Sequence, residues 1–220
     1  MTENGTNPLG PLWQQASDVA ALGDFPGLVS AWESLVQKGV WQLNARIGEI
    51  YERGVEGVER DIQKALTWYR KGVFEGDDPL AHVGLGRAYL KGSGIKQDYA
   101  MALKHFEKAY ASGSREAHIY LGVMHSLGAG VRKDLDRAQQ YFEVAAASEY
   151  FIAYAFLARL AFERGRVVRA VMLIVRSWFT GARISKRDPT DPKLLGMEKI
   201  GSSKLDLLRT ILFTSRTAKV

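Results

Sequence analysis

Cysteine is absent from the 220-residue chain. Disulfides, Cys-ligated zinc, thioether-attached haem and thiol catalysis are therefore excluded. Long apolar runs are absent too. The run AVMLIV at 170–175 is closed on both sides by Arg169 and Arg176. It is far short of the roughly 20 residues that a membrane-spanning helix needs. The opening MTENGTNPLGPLWQQ has neither the basic nor the apolar region of a secretory signal. These absences together predict a soluble, cytoplasmic protein.

What is present is ordinary globular material, 46% hydrophobic and 25% charged, enough for a real core. The net charge of +6 is unevenly spread. Residues 151–220 hold 14 Lys and Arg against 5 Asp and Glu, whereas residues 1–150 hold 16 against 19. Such a polarity suits an acidic surface meeting the basic C-terminal third, set against a merely solvated basic face.

The chain repeats itself. GRAYLKGSGIKQDYAMALKHFEKAYASGSREA, starting at Gly86, is followed at an offset of 36 by GVMHSLGAGVRKDLDRAQQYFEVAAASEYFIA, starting at Gly122. Leu85-Gly86 matches Leu121-Gly122, Gly92 and Gly94 match Gly128 and Gly130, and Asp98 matches Asp134. Ala102 matches Ala138, and His105-Phe106 matches Tyr141-Phe142. A looser copy begins near Ile47-Gly48 and runs through Asp61, Ala65 and Trp68-Tyr69. A fixed period in this range signals stacked helical pairs. Within one unit, Leu85 and Tyr89 share a helix face. Gly86 offers no side chain where a second helix approaches, the paired glycines supply a turn with positive φ, and Asp98 caps the second helix. About ten helices and no sheet are expected.

The pattern A-x3-LG-x2-Y-x2-G-x-G-x3-D-x3-A, continued by an aromatic pair, resembles the Sel-one-like repeat of the tetratricopeptide superfamily, most clearly over residues 43–150. The resemblance implies an all-α right-handed superhelical solenoid of antiparallel helix pairs with degenerate terminal units. The expected organisation is a single solenoid over 1–182: a degenerate pair at 8–40, repeats at 43–80, 81–116 and 117–152, and a degenerate pair at 153–182. A basic C-terminal loop and capping helix should follow at 183–220. The last regular helix, 167–179, is apolar on nearly every side, and a fold-back of residues 192–220 is expected to cover it.

No catalytic constellation is legible. His82 and His118 occupy equivalent positions in adjacent units, about 10 Å apart by helix spacing, too far for a shared zinc at about 2 Å from each nitrogen. His105 and His125 stand where the repeat uses aromatics, so both are expected as core substitutions. KGSGIK and LGAGVRK lack the strand and G-x4-GK[ST] context of a phosphate loop. Asp77-Asp78 falls in a turn. Arg159, Arg166, Arg169, Arg176, Arg183, Lys186 and Arg187 surround Trp178 and Phe179, but no nucleic-acid-binding signature accompanies them.

The resemblance also implies where a partner binds. First helices line the concave face, with inward positions at fixed offsets from the first small residue of each unit. Those positions include Glu49, Val83, Arg87, Leu90, Ile119, Val123, Leu127, Arg159 and Phe162. The function implied is a non-catalytic adaptor or scaffold that binds another protein, with no cofactor. Two alternatives remain open. One is a bacterial accessory protein, such as a toxin-neutralising immunity protein or a secretion-system chaperone. The other is a peripheral membrane protein anchored by its basic C-terminal end.

Overall fold

The computed structural model describes residues 9–148 and 150–187. The helices are α1 (Gly10–Ala21), α2 (Phe25–Gln37), α3 (Asn44–Arg53, entered through a 3-10 turn at Trp41–Leu43), α4 (Ile62–Gly76) and α5 (Pro79–Lys91). They continue with α6 (Tyr99–Ala111), α7 (Arg115–Leu127), α8 (Leu135–Ala147), α9 (Phe151–Glu163) and α10 (Val167–Arg187). Among the described residues there is no strand, only an isolated bridge between Val55 and Val58. The fold is all-α, built from consecutive helix pairs. The chain forms two compact units, Met1–Ala117 and His118–Val220, and the division falls inside α7.

Local sequence sets the helix ends. Asp24, Asp61, Asp78, Asp98 and Asp134 each stand one residue before a helix and accept its first free backbone N–H groups, which would otherwise go unpaired. Pro79 follows Asp78 at the first helical position, where its missing N–H costs nothing. Gly92 and Gly94, with φ of 69° each, and Gly128 and Gly130, with φ of 73° and 71°, turn the chain between the helices of successive repeats. Neither stretch is a phosphate loop; both are left-handed turns.

In the first unit, Leu28, Val29, Ala31, Leu35 and Val36 of α2 form one core with Ala16 of α1 and Ile47 of α3. A second core joins Ala45, Ala65, Leu66, Tyr69, Ala81, Leu85 and Ala88. Helix α5 lies among α3, α4 and α6, and every residue from Ala81 to Ala88 is buried. In the second unit, Ile119, Ala138, Phe142, Ala153, Tyr154 and Leu157 form the main core. Ala158, Ala161 and Ala170 seat α10 on α9.

The glycines of the first helices act by close approach. A Cβ on Gly86 would stand 2.5 Å from the Phe106 ring, and one on Gly122 would stand 2.6 Å from the Phe142 ring. Each repeat therefore places an aromatic of its second helix flat against the bare backbone of its first.

The last helix departs from the sequence expectation. The expectation is a regular helix over 167–179, in a pair ending at 182, and a loop from 183 onward, but α10 continues to Arg187. Buried Ala170, Ser177 and Ile184 recur every seven residues along one face. Ala170 packs on α9 and Ser177 donates to the Phe151 carbonyl at 2.9 Å, and burial of Ile184 keeps that face helical through Thr180-Gly181. The rest of the expected C-terminal loop and capping helix, from residue 188 onward, lies outside the described residues.

Candidate functional site

In the first unit, three first helices bring charge to one place. Helix α3 carries Glu49, Glu52 and Arg53, α5 carries Arg87, and the opening turn of α7 carries Glu116. Arg87 is nearly enclosed, with 7% exposure. One arm of its guanidinium, Nη2, donates to Glu52 and also to the Tyr69 hydroxyl at 3.2 Å. The other arm, Nη1, donates to Glu116 at 3.3 Å. Tyr69 donates in turn to Glu52 at 2.6 Å. Glu49 holds Arg46 at 3.4 Å and Arg53 at 3.7 Å along its own helix.

Tyr69 reaches this cluster because two helices leave room for its ring. A Cβ on Gly48 of α3 or on Gly84 of α5 would fall 2.7 Å and 2.5 Å from it. The equivalent residues in the next two repeats, Phe106 and Phe142, have no hydroxyl. Burial pushes the Tyr69 hydroxyl far above its usual range, Arg87 opposes the shift and Glu52 adds to it, so Tyr69 stays a donor. Burial also raises the Glu116 carboxyl, with Arg87 pulling the other way. Glu52 and Glu116 thus flank one enclosed guanidinium, while Glu49 is held by Arg46 and Arg53 on the open rim.

A second polar chain links α4, α5 and α6. His82 Nδ1 lies 2.8 Å from His105 Nδ1, and His82 Nε2 lies 2.8 Å from Asp77 Oδ1. Tyr89 stacks on the His105 ring at 5.6 Å and 14°. One pair of tautomers fits both contacts: His105 Nδ1–H donates to His82 Nδ1, and His82 Nε2–H donates to Asp77. Burial, reinforced by His82 and Lys104, lowers His105 to about 4. The bond from His82 draws Asp77 below the usual carboxylate range. In the second unit, His125 stacks on Tyr141 at 5.6 Å, with His118 edge-on to the same ring at 6.2 Å. Among the described residues, no group of three or more His, Cys, Asp or Glu is arranged to hold a metal ion.

Sequence reasoning paired His82 with His118 across repeats and overlooked the contact of His82 with His105 inside one. The signal was available. Positions 82, 89 and 105 read His, Tyr, His, and the same positions 36 residues on, 118, 125 and 141, read His, His, Tyr. One set of three touching positions thus carries His and Tyr in exchanged places.

The structure scatters the residues expected to face a partner. Glu49 and Arg87 join the ion cluster. Val83 is wholly enclosed within the buried run of α5. Ile119 is a core residue of the second unit, enclosed because α8 and α9 pack over it. Leu90 and Val123 are half-buried, and Leu127 is 55% exposed. Arg159 pairs with Glu163 at 3.1 Å on the same helix. Phe162 rests partly buried against Ala158, Ala161 and Ala170.

This geometry defines a class: an α-helical repeat protein whose helix pairs close on a small residue and an aromatic. Comparison with known proteins identifies the repeat. The Sel1 repeat matches residues 43–73, 79–114 and 115–150, so these three segments are Sel1 repeats. A Sel1 repeat protein from Oxalobacter formigenes superposes with a TM-score of 0.65 at 23% identity, covering 91% of this chain and 89% of that one. A protective antigen of uropathogenic Escherichia coli with an SLR fold gives a TM-score of 0.56 at 23% identity, over 83% of this chain and 39% of that one. In sequence, an ERAD-associated E3 ubiquitin-protein ligase component of Arabidopsis thaliana, HRD3B, is 37% identical over 78 residues. That match covers 35% of this chain and only 12% of the relative. Among the described residues, no helix is long and apolar enough to cross a membrane.

Proposed function

We propose that this chain is a non-catalytic adaptor that binds a protein partner through the faces of its first helices. One observation carries the reading: α3, α5 and α7 each contribute charge to the Arg87 cluster. Partly buried ion clusters are no more stable than apolar packing of the same volume. Sequences that need only a core fill such positions with leucine. Glu49, Glu52 and Glu116 are balanced by Arg46, Arg53 and Arg87, so the cluster suits a partner that offers charges of both signs. Arg46 and Arg53 on the rim can exchange their intramolecular pairs for the partner's carboxylates. In the second unit, exposed Leu127 and half-buried Val123, one helical turn apart on α7, supply apolar surface of the kind that anchors protein contacts. The fold supports the same reading, since arrays of helix pairs characteristically present binding surfaces. One relative is by its name a component of a ligase assembly.

The test is site-specific photo-crosslinking in native lysate. A photo-reactive residue at Arg53, Leu90, Leu127 or Phe162 should capture the partner. The same residue at exposed Phe74, Tyr110 or Val144 on the second helices should not. One stoichiometric protein would make the chain an accessory protein of the immunity or chaperone kind, and several would make it a scaffold. Capture confined to the second helices would refute the reading.

A further inference from the structure

Helix α10 is apolar on two faces, and among the described residues only one of them is packed. Ala170 and Ser177 are buried, with Leu173 and Ile174 partly so, on the side that meets α9, and Ile184 is buried further along the same face. Roughly opposite, Val168, Met172 and Phe179 are 70%, 66% and 61% exposed, and Val167, Val171, Val175 and Trp178 are each about half exposed. At 100° per residue these seven side chains occupy one continuous strip. It extends about 20 Å along the helix at 1.5 Å per residue. Soluble surfaces scatter single apolar residues; a strip of this size marks a docking face.

The charge beside the strip says what docks. Arg169, Arg176 and Arg183 are seven residues apart and so form a line along one edge of the strip. Arg169 lies 3.7 Å from Glu143 and Arg176 stacks over Tyr154 at 5.2 Å, which holds both side chains along that edge. From Arg164 to Arg187 the sequence has Arg164, Arg166, Arg169, Arg176, Arg183, Lys186 and Arg187, and no Asp or Glu. A second copy docked antiparallel would set one such arginine line beside another, and in either orientation this helix has no carboxylate to answer the arginines. Residues 188–220 are themselves net basic, with six Lys and Arg against four Asp and Glu. The complementary occupant is anionic and accepts an apolar ridge.

From this geometry we infer that the outer face of α10 docks on an anionic lipid surface. The helix lies in the interface plane with Val168, Met172, Trp178 and Phe179 inserted among the acyl chains and the arginine line on the headgroups. An apolar strip containing Trp and Phe beside a basic edge is the pattern of interfacial helices. Anionic headgroups attract each nearby arginine, and salt weakens that attraction. The inference is independent of the partner-binding faces of the first helices.

The experiment uses the full chain with vesicles of phosphatidylcholine alone or with about one third phosphatidylglycerol. It reads co-sedimentation and the tryptophan emission maximum. The expected result is binding to the anionic vesicles with a blue shift, at least tenfold weaker binding to phosphatidylcholine, and partial reversal at high salt. The double variant Val171→Glu, Phe179→Glu should lose at least tenfold in binding with its melting temperature unchanged. Exposed Phe74→Glu should bind as wild type. The inference is overturned if anionic vesicles are not bound, or if the double variant binds them as well as wild type, which would assign the binding to residues 188–220. It is equally overturned if the double variant melts much lower, so that the chain covers its own strip. A wild-type dimer that the double variant abolishes would likewise overturn it in favour of a second copy.

Discussion

The Nδ1 atoms of His82 and His105 face each other at 2.8 Å, and only one proton fits between them. This relationship gives stability a pH dependence. His105 in the folded chain titrates at about 4, below the ordinary imidazole value of about 6.5. Between those values the unfolded chain binds a proton that the folded chain refuses. Stability is therefore full above about pH 6.5 and falls as pH drops towards 4. Asp77, whose carboxyl is drawn down by His82, loses its contribution only at still lower pH. Replacing His105→Tyr, the residue of the matching position 141, should flatten the decline. Urea denaturation at pH 7.5, 6.5, 5.5 and 4.5 measures both slopes; parallel slopes would count against the shared proton.

Arg87 is the hinge of the charged cluster. The Arg87→Met variant leaves Glu52 and Glu116 facing each other without their cation. Breaking a buried pair from one side costs about 3–5 kcal/mol, and the partial exposure of Glu52 puts the expected loss near the lower end. Glu116→Gln removes a carboxylate whose ionisation burial already opposes. It should cost clearly less than Arg87→Met at neutral pH. Thermal denaturation of the two variants side by side checks the order.

Gly122 meets the Phe142 ring with no room for a Cβ. Gly122→Leu should overpack this contact and cost about 1–3 kcal/mol or more. Gly86→Leu against Phe106 should behave alike. An unchanged melting temperature in either variant would contradict the close approach.

Asp98 and Asp134 accept the N–H groups of Met101 and of Asp136 and Arg137. Asp→Ala at each should cost about 0.5–2 kcal/mol and leave partner binding intact, since the role is confined to helix ends. Chemical denaturation together with a binding assay separates stability from recognition.

These caps, glycines and turns were legible in the sequence because each answers a local demand: an unpaired N–H, a positive φ, a ring against a bare backbone. Repetition at 36 residues displayed each demand twice. The Arg87 cluster was half legible. Offsets within the repeat placed Glu49 and Arg87 on first helices, but the hydroxyl of Tyr69 enters only because Gly84 departs from its counterpart Tyr120. A departure from a repeat signals a local change without saying what fills the space. Val83 and Ile119 show the opposite case. Their offsets marked a binding face, yet α5 is enclosed along eight consecutive residues, because neighbouring helices pack it from three directions. The extra turns of α10 were hidden by Thr180-Gly181, a weak helix sequence held by Ile184 on the far side. Tertiary burial overrides propensity there.

The central claim is that recognition resides on the first helices. Its most direct test is a calorimetric titration of the photo-captured partner into three proteins: wild type, the charge-reversed Glu49→Lys, Arg53→Glu variant, and Phe74→Ser on an exposed second-helix position. The account predicts at least a tenfold weaker Kd for the charge-reversed variant and less than a twofold change for Phe74→Ser, with melting temperatures near wild type. Full affinity in the charge-reversed variant, or a large loss in Phe74→Ser alone, would contradict it.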